Sequence, residues 1–222
     1  MASFNYIDLG SADYKACWEQ QEALHAEVAA AKGSGSAGTD KNFFLLVEHP
    51  HVYTMGKSGN AGNMLIPDAI LQKINAAFYR INRGGDITYH GPGQLVGYPI
   101  LDLQHAKLGI REYIYRMEEA IVQTIAEYGL KGERREGATG VWIDPKHPVK
   151  SRKICAIGVR VSRQVTMHGF ALNVNPDMRY YNYINPCGFD AGSVTSLVQE
   201  TGSDIPMDEV KQHIRRHFNA QF

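Results

Sequence analysis

The most informative stretch of this sequence is Arg83-Gly84-Gly85-Asp86-Ile87-Thr88-Tyr89-His90-Gly91-Pro92-Gly93-Gln94-Leu95-Val96-Gly97-Tyr98. It leads directly into the apolar run Pro99-Ile100-Leu101. Glycines stand where a strand would carry side chains, which indicates that another backbone or a ligand needs the space. Arginine adds a rigid fork of donors, and histidine adds a group that titrates near neutral pH. The residues alone allow two interpretations, a β-hairpin with a glycine-rich turn and a ligand-binding segment.

Composition narrows the class of protein. The 222 residues suit one domain with a sizeable core, and 23 basic residues balance 23 acidic ones, so no broad basic field favours nucleic acid as a partner. Three cysteines, Cys17, Cys155 and Cys187, are too few and too scattered for a disulfide framework. The start of the chain lacks the pattern of a signal peptide, and no apolar run approaches the roughly 20 residues of a membrane helix. We therefore expect a cytoplasmic protein that does not use a membrane.

The periodicity of apolar residues predicts a single α/β domain with mixed sheets and packed helices. Helices are predicted at 11–31, 67–75, 110–128 and 208–218. Strands are predicted at 43–47, 77–82, 141–143, 154–161 and 165–174. Residues 33–38, Gly-Ser-Gly-Ser-Ala-Gly, are typical of a flexible loop within the domain.

Several motifs together resemble one enzyme family. The stretch from Arg83 to Gln94 matches every fixed position of the lipoyl(octanoyl) transferase signature, Arg-Gly-Gly-x-x-Thr-aromatic-His-x-x-Gly-Gln. Residues 48–56, with Glu48-His49-Pro50 and Thr54-Met55-Gly56, resemble the N-terminal motif of that family, and residues 169–174 resemble a later one. Lys153 before a short apolar strand, and Cys187 in a Pro/Gly turn, look like its paired lysine and cysteine. The matches extend from about residue 43 to about residue 197.

The resemblance implies a fold and a set of site residues. The fold is that of the catalytic domains of biotin and lipoate protein ligases. Cys187 and Lys153 form the catalytic dyad, in which a nearby ammonium lowers the pKa of the thiol. The substrate-binding residues are Arg83, Gly84, Gly85, Asp86, Ile87, Thr88, Tyr89, His90, Ala156, Ile157, Gly158, Gly169, Phe170 and Ala171. Phe170 stands where the family usually has leucine, which leaves the pocket apolar.

The resemblance also implies a reaction and its partners. The Cys187 thiolate accepts the octanoyl group of octanoyl-acyl carrier protein, and a lysine of a lipoyl domain then takes it from the thioester. The acceptors are the lipoyl domains of 2-oxoacid dehydrogenase complexes and the glycine cleavage H protein. The substrate arrives activated, so no cofactor, ATP or metal is needed. We expect the chain to act as a monomer in the first step of lipoate synthesis.

Some features keep alternatives open. Cys155 is a rival nucleophile, because strand alternation puts it on the same face as Lys153, although the family usually has alanine there. The histidines His49, His51, His90 and His105 do not have the spacing of a zinc site. Residues 144–152 look like an insertion before Lys153. This insertion forms a lid, docks a partner or has no role.

Two rival functions have distinct signatures. An ATP-dependent lipoate ligase on the same fold needs no cysteine nucleophile, so the turn containing Cys187 argues against it. A non-catalytic protein that binds acyl carrier protein needs neither Lys153 nor Cys187. Incubation of octanoic acid, ATP and an apo lipoyl domain tests the first, and the intact mass of the acylated chain tests the second.

Overall fold

Two β-sheets form the framework of the chain, which the computed structural model describes over residues 4–32, 41–185 and 193–222. The strands are β1 Phe4–Ser11, β2 Asn42–Glu48, β3 Val52–Met55, β4 Ala77–Arg80, β5 Ile87–His90, β6 Gln94–Ile100, β7 Glu133–Arg135, β8 Ala138–Ile143, β9 Arg152–Ser162 and β10 Val165–Asn173. The α-helices are α1 Tyr14–Ala31, α2 Asp68–Lys73, α3 Ile110–Ala126, α4 Leu197–Thr201 and α5 Met207–Gln221.

The larger sheet has seven strands in the order β1-β2-β6-β10-β9-β8-β7, and the smaller has three in the order β4-β3-β5. The neighbours β1 and β2 are parallel, as are β3 and β4, and the other pairs are antiparallel. The prediction of an α/β domain with mixed sheets is confirmed. The hairpin interpretation of the glycine-rich stretch is wrong, because β5 belongs to the smaller sheet and β6 to the larger one. Residues 91–93 connect the two sheets.

Helices α3 and α5 cover one face of the seven-stranded sheet. In α3, apolar residues at three- and four-residue spacing are fully buried: Tyr113, Met117, Ile121 and Ile125. These side chains pack against aromatic rings from the sheet and from α5. The ring centroids of Phe44, in the sheet, and Phe218, in α5, lie 4.4 Å apart. Gly129, with φ +76°, follows the end of α3, as its position in the sequence predicts. This layer is the main hydrophobic core.

Helix α1 packs on the opposite face, and its start differs from the prediction. Residue 11 ends β1, and the helix begins at Tyr14, where the Asp13 carboxylate accepts a hydrogen bond from the Ala16 amide at 3.0 Å. Strand β1 was not predicted, because its sequence FNYIDLGS lacks an apolar run. Strands β3 and β7 and helix α4 were missed as well, and the other boundaries agree within three residues. The predicted loop 33–38 lies outside the described residues.

A bulge in β9 overturns the prediction for Cys155. Ala156 pairs with Gly140 and Cys155 with Val141, but the next pair joins Lys153 to Trp142, so one residue of β9 is left over. Alternation therefore fails between Lys153 and Cys155. Cys155 is fully buried in the core beneath α3, whereas Lys153 lies on the other face of the sheet.

The predicted insertion is the loop between β8 and β9. The loop spans residues 144–151, and Arg152 already belongs to β9. The Arg152 guanidinium joins the two ends of this region, since it pairs with Asp144 at 2.7 Å and with Glu200 of α4. Val149 at its tip is 86% exposed.

The contact between β6 and β10 leaves no room for a side chain at Gly97. A Cβ there would lie 2.3 Å from the Phe170 ring and 2.9 Å from the Phe44 ring. We expect Gly97→Val to lower the free energy of unfolding by about 3 kcal/mol or more, because overpacking forces the rings out of their positions. Urea unfolding measures this change. Gly109→Ser is the control, since the position is open and begins a helix; equal midpoints for the two variants would contradict the prediction.

Candidate functional site

A cavity of about 510 Å³ lies between the seven-stranded sheet and the glycine-rich segment. Lys153 lines it, and so do thirteen of the fourteen residues predicted to bind substrate: Arg83, Gly84, Gly85, Asp86, Ile87, Thr88, His90, Ala156, Ile157, Gly158, Gly169, Phe170 and Ala171. The exception is Tyr89. Its ring is fully buried in the core of the smaller sheet, and its hydroxyl lies 2.8 Å from His51 Nδ1. Strand alternation turns Tyr89 away from the side on which Thr88 and His90 meet the cavity.

The Arg83 side chain shapes the glycine-rich segment itself. Its guanidinium donates to the carbonyl oxygens of Gly84 at 2.7 Å, Thr54 at 3.2 Å and Asp86 at 2.7 Å. The Gly84 amide donates to the carbonyl of Val159 in β9 at 3.1 Å. A Cβ on Gly158 would lie 2.7 Å from Arg83 Nη1, so only glycine permits this approach. One end of the cavity is thus closed by backbone against backbone.

Lys153 extends into the cavity beside an aromatic ring. Its Nζ lies 4.8 Å from the centroid of the fully buried Trp142 ring, and the Arg135 guanidinium lies 4.8 Å from the same ring. The Trp142 Nε1 donates to the Ala138 carbonyl at 2.9 Å, which fixes the ring plane. A ring face attracts a cation, so Trp142 supports a charged Lys153 in a partly apolar wall.

The chain returns to Lys153 just before α4. Val194 forms a parallel bridge with Lys153, and the Thr195 amide donates to the Lys153 carbonyl at 2.9 Å. At the other side of residues 186–192, the Asn185 amide donates to the Asn63 carbonyl at 2.8 Å. Cys187, the predicted nucleophile, lies outside the described residues.

Three histidines are buried at or near the cavity: His90 and His168 line it, and His49 is next to His90, with their ring centroids 6.0 Å apart. Each of the three is held neutral. The His49 Nδ1 donates to the Ala12 carbonyl and its Nε2 accepts from Tyr98, while the His90 Nδ1 donates to Gln94 Oε1, all at 2.8 Å. Burial lowers the pKa of His49 to about 4. Burial and the neighbouring His49 lower the pKa of His90 to about 3. Burial and the Arg83 charge lower the pKa of His168 to about 3.

Several lining residues were not identified from the sequence: Tyr14, Val96, Tyr98, Ile110, Ile114, Gly137, Ala138, Thr139, Trp142, Val159, His168, Asn173, Tyr181, Ser193 and Val194. They come from α1, α3, the seven-stranded sheet and connecting segments, so no local pattern unites them. Some of them carried a signal: Val96 and Tyr98 end the glycine-rich stretch, Asn173 lies within the motif at 169–174, and His168 directly precedes that motif.

The two described cysteines are unsuited to nucleophilic chemistry. Burial raises the pKa of the Cys17 thiol to about 12 and that of the Cys155 thiol well above its ordinary value. Both are at most 2% exposed. A thiol is reactive as the thiolate, so neither suits an acyl-transfer role.

The described residues whose arrangement could hold a metal ion lie outside the cavity. Among the described residues, one group could hold an ion, and it consists of Glu127, His213 and His217 beside α5. The Arg216 guanidinium already contacts all three side chains. His49, His51, His90 and His105, weighed from the sequence, are not part of it.

Comparison with known proteins identifies the family. The family model for the lipoyl protein ligase A/B catalytic domain matches residues 13–219. The chain belongs to this family. It is 53% identical to an octanoyltransferase of Christiangramia forsetii over 97% of this chain and 94% of that protein. An octanoyltransferase of Parabacteroides distasonis is 50% identical over the full length of both chains.

Solved structures agree on the fold. A bipartite lipoate protein ligase from Thermoplasma acidophilum superposes with a TM-score of 0.70 at 18% identity, covering 99% of this chain and 84% of that one. Lipoate-protein ligase A bound with ATP gives 0.69 at 16% identity, covering 98% and 84%. Biotin protein ligase from Aquifex aeolicus gives 0.52 at 13% identity, covering 98% and 68%. The predicted likeness to the fold of biotin and lipoate protein ligases is confirmed.

In the described ranges, no helix combines the length and the apolar character that crossing a bilayer requires.

The neutral histidines make stability depend on pH. Their folded pKa values lie below the unfolded value of about 6.5, so the unfolded chain binds more protons below pH 6.5. Stability is full above pH 6.5 and falls toward pH 4, by about 1 kcal/mol per pH unit for each histidine. Urea unfolding between pH 7 and 4.5 measures the slope. We expect a smaller slope for His90→Gln and the wild-type slope for the exposed control His105→Gln; equal slopes for both variants would contradict this account.

Proposed function

We propose that this protein moves an octanoyl group from acyl carrier protein to a lysine of a lipoyl domain through a thioester on Cys187, as the first step of lipoate synthesis. The protein is an acyltransferase, since curated octanoyltransferases are 50–53% identical to it over 97–100% of the chain. The donor, the Cys187 thioester and the dyad with Lys153 are the parts that we add.

The observation that carries the proposal is a lysine ammonium in the wall of an acyl-sized cavity. Lys153 lies beside small residues of β9 and β10, including Ala156 and Ala171, which leave space for a hydrocarbon chain. The chain that follows Cys187 is hydrogen-bonded to Lys153 through Thr195. The covalent path from Cys187 to this contact is eight residues, which is within reach of the cavity.

In the first step, the Cys187 thiolate attacks the thioester carbonyl of octanoyl-acyl carrier protein. The new C–S bond replaces the old one, and the pantetheine thiolate leaves and takes up a proton. An ordinary thiol with a pKa near 8.5 is only a few per cent thiolate at pH 7, so the Lys153 ammonium is needed to favour the charged form. The acyl-enzyme is close in energy to the donor, because one thioester replaces another.

In the second step, the neutral amine of the acceptor lysine attacks the Cys187 thioester. The amide C–N bond forms, the C–S bond breaks, the amine nitrogen releases one proton to solvent, and the thiolate of Cys187 is restored beside Lys153. An amide is more stable than a thioester, so this step draws the reaction forward. The kinetics are expected to be ping-pong.

The partners follow from the reaction. The archaeal lipoylation system of Thermoplasma acidophilum includes a bipartite lipoate protein ligase and its E2 lipoyl domain. We propose lipoyl domains as the acceptors here. The expected acceptors are those of 2-oxoacid dehydrogenase complexes and the glycine cleavage H protein. Octanoyl-acyl carrier protein is proposed as the donor because a thioester needs no further activation. We also propose that the catalytic unit is one chain.

Replacement of the nucleophile is the decisive test. Cys187→Ala is expected to abolish both the octanoyl adduct and transfer to the lipoyl domain, because the other two cysteines, Cys17 and Cys155, are buried. The measurement is intact mass with peptide mapping after incubation with octanoyl-acyl carrier protein. Cys155→Ala and Cys17→Ala are the matched controls and should retain both activities. An adduct on Cys155, or full transfer by Cys187→Ala, would overturn the proposal.

Replacement of the lysine tests the dyad. Lys153→Ala is expected to raise the pH midpoint of Cys187 alkylation by about one unit and to slow transfer at least tenfold, because the neighbouring cation is lost. Lys153→Arg should also be slow, since arginine does not release a proton. Lys146→Ala, on the exposed loop, is the control. An alkylation profile of Lys153→Ala that matches wild type removes Lys153 from the dyad.

A further inference from the structure

Helix α5 contains two histidines that face the end of α3. His213 and His217 are four residues apart, so their rings lie on the same side of α5. The third side chain of this group is Glu127, which directly follows Ala126, the last residue of α3. Two histidines four residues apart on a helix, together with a carboxylate, are a donor set that zinc and similar divalent metals bind in proteins.

The ligand atoms of these three side chains converge on one point, and the Arg216 Nη2 atom lies there. It is 3.0 Å from His213 Nδ1 and 3.3 Å from His217 Nε2, and it also contacts Glu127 Oε1. The ligand atoms of the three side chains lie within 4.8 Å of one another. Zinc bound at this point needs distances of about 2.0–2.2 Å, so the two nitrogens must move inward by about 1 Å. Small side-chain rotations supply such a shift.

The Arg216 guanidinium does not satisfy all three groups at once. The His217 Nε2 lies 2.9 Å from Glu127 Oε1 and 3.3 Å from Arg216 Nη2. This nitrogen must donate to bond with the carboxylate, and it must accept to bond with the guanidinium. One of the two contacts is therefore always unfavourable. A divalent metal removes the conflict, because the carboxylate oxygen and both ring nitrogens can each offer it a lone pair.

A fourth side chain is placed to support His213 as a metal ligand. Arg216 donates to Nδ1 of this ring, so the proton of the neutral imidazole is on Nε2. That Nε2 faces Glu209 Oε1 at 3.6 Å. A carboxylate beside the outer ring nitrogen is a common partner of a metal-bound histidine, because it fixes the tautomer and makes the ligand more basic.

We propose that Glu127, His213 and His217 form a zinc site, and that zinc displaces the Arg216 guanidinium from it. The Arg216 side chain is 59% exposed, so it can turn into solvent without leaving a buried charge. Three protein ligands leave one coordination position for water.

The position of this site gives it a structural role. None of its residues lines the cavity, and Glu127 is about 25 Å along α3 from Ile110, which does. Zinc would join the end of α3 to α5, the two helices that cover one face of the seven-stranded sheet. An ion that binds the folded chain more tightly than the unfolded chain raises stability by mass action. The proposal does not depend on the reaction proposed above.

Four variants test the site. His213→Gln and His217→Gln each remove one ligand, and we expect each to weaken zinc binding at least tenfold. Arg216→Ala keeps all three ligands and removes a competing cation, so zinc should bind at least threefold more tightly than to wild type. His105→Gln, at an exposed position, is the matched control and should bind zinc as wild type does.

Two measurements apply to each variant, on protein without a histidine tag. Calorimetric titration with zinc chloride at pH 7.5 gives the Kd. Zinc at 100 times its Kd should raise the thermal midpoint of wild type by about 5 °C or more, and that of His217→Gln by less than about 1 °C. The visible spectrum with Co²⁺ identifies the ligands, since binding to a cysteine would add a sulfur charge-transfer band that this site lacks.

The outcomes either support or overturn the proposal. Wild type without saturable zinc binding overturns it, as does equal affinity in wild type and both glutamine variants, or a sulfur band with Co²⁺. Unchanged or weaker binding by Arg216→Ala overturns the displacement of the guanidinium. The thermal midpoint without zinc shows whether each variant is folded. If either glutamine variant is not, Glu127→Gln takes its place and should lose zinc binding to the same extent.

Discussion

The close approach of the glycine-rich segment to β9 is the constraint on which the rest of the structure depends. Gly84 donates to Val159, and Arg83 lies where a side chain on Gly158 would stand. This contact joins the smaller sheet to the larger one and closes the cavity at one end. The Arg83 guanidinium is occupied by carbonyl oxygens of its own neighbourhood, so its role is to hold the segment in shape. The glycines serve backbone packing, which a side chain would prevent.

Several buried polar side chains beside the cavity form one connected hydrogen-bond network. Gln94 donates to Asn173 Oδ1 at 2.9 Å and accepts from His90, and the Tyr181 hydroxyl donates to the same Asn173 oxygen at 3.1 Å. Because each member is satisfied, the network fixes side chains beside the cavity at little cost in stability. The Nδ1 of His168 departs from this rule, since it has no hydrogen-bond partner among the described residues.

Two irregularities in the strands bring polar side chains to the cavity. A bulge in β9 brings Lys153 opposite the Trp142 ring, which supports a cation. A left-handed residue in β10, opposite Pro99, turns the His168 ring toward Asn82 and the same cavity. Small residues of β9 and β10, Ala156 and its partner Ala171, line the cavity as well. Both polar groups thus reach the cavity through departures from regular strand geometry.

The sequence by itself determined the fold class, the family and about half of the cavity lining, because motifs and periodicity are local properties that one strand or helix can display. Tertiary structure alone decided which residues share a face. Alternation predicted Cys155 beside Lys153, and a bulge that depends on pairing with β8 separated them. The hairpin interpretation failed because β5 and β6 find partners in different sheets. Trp142 and His168 gained their places from strands distant in sequence, and no local pattern encodes such contacts.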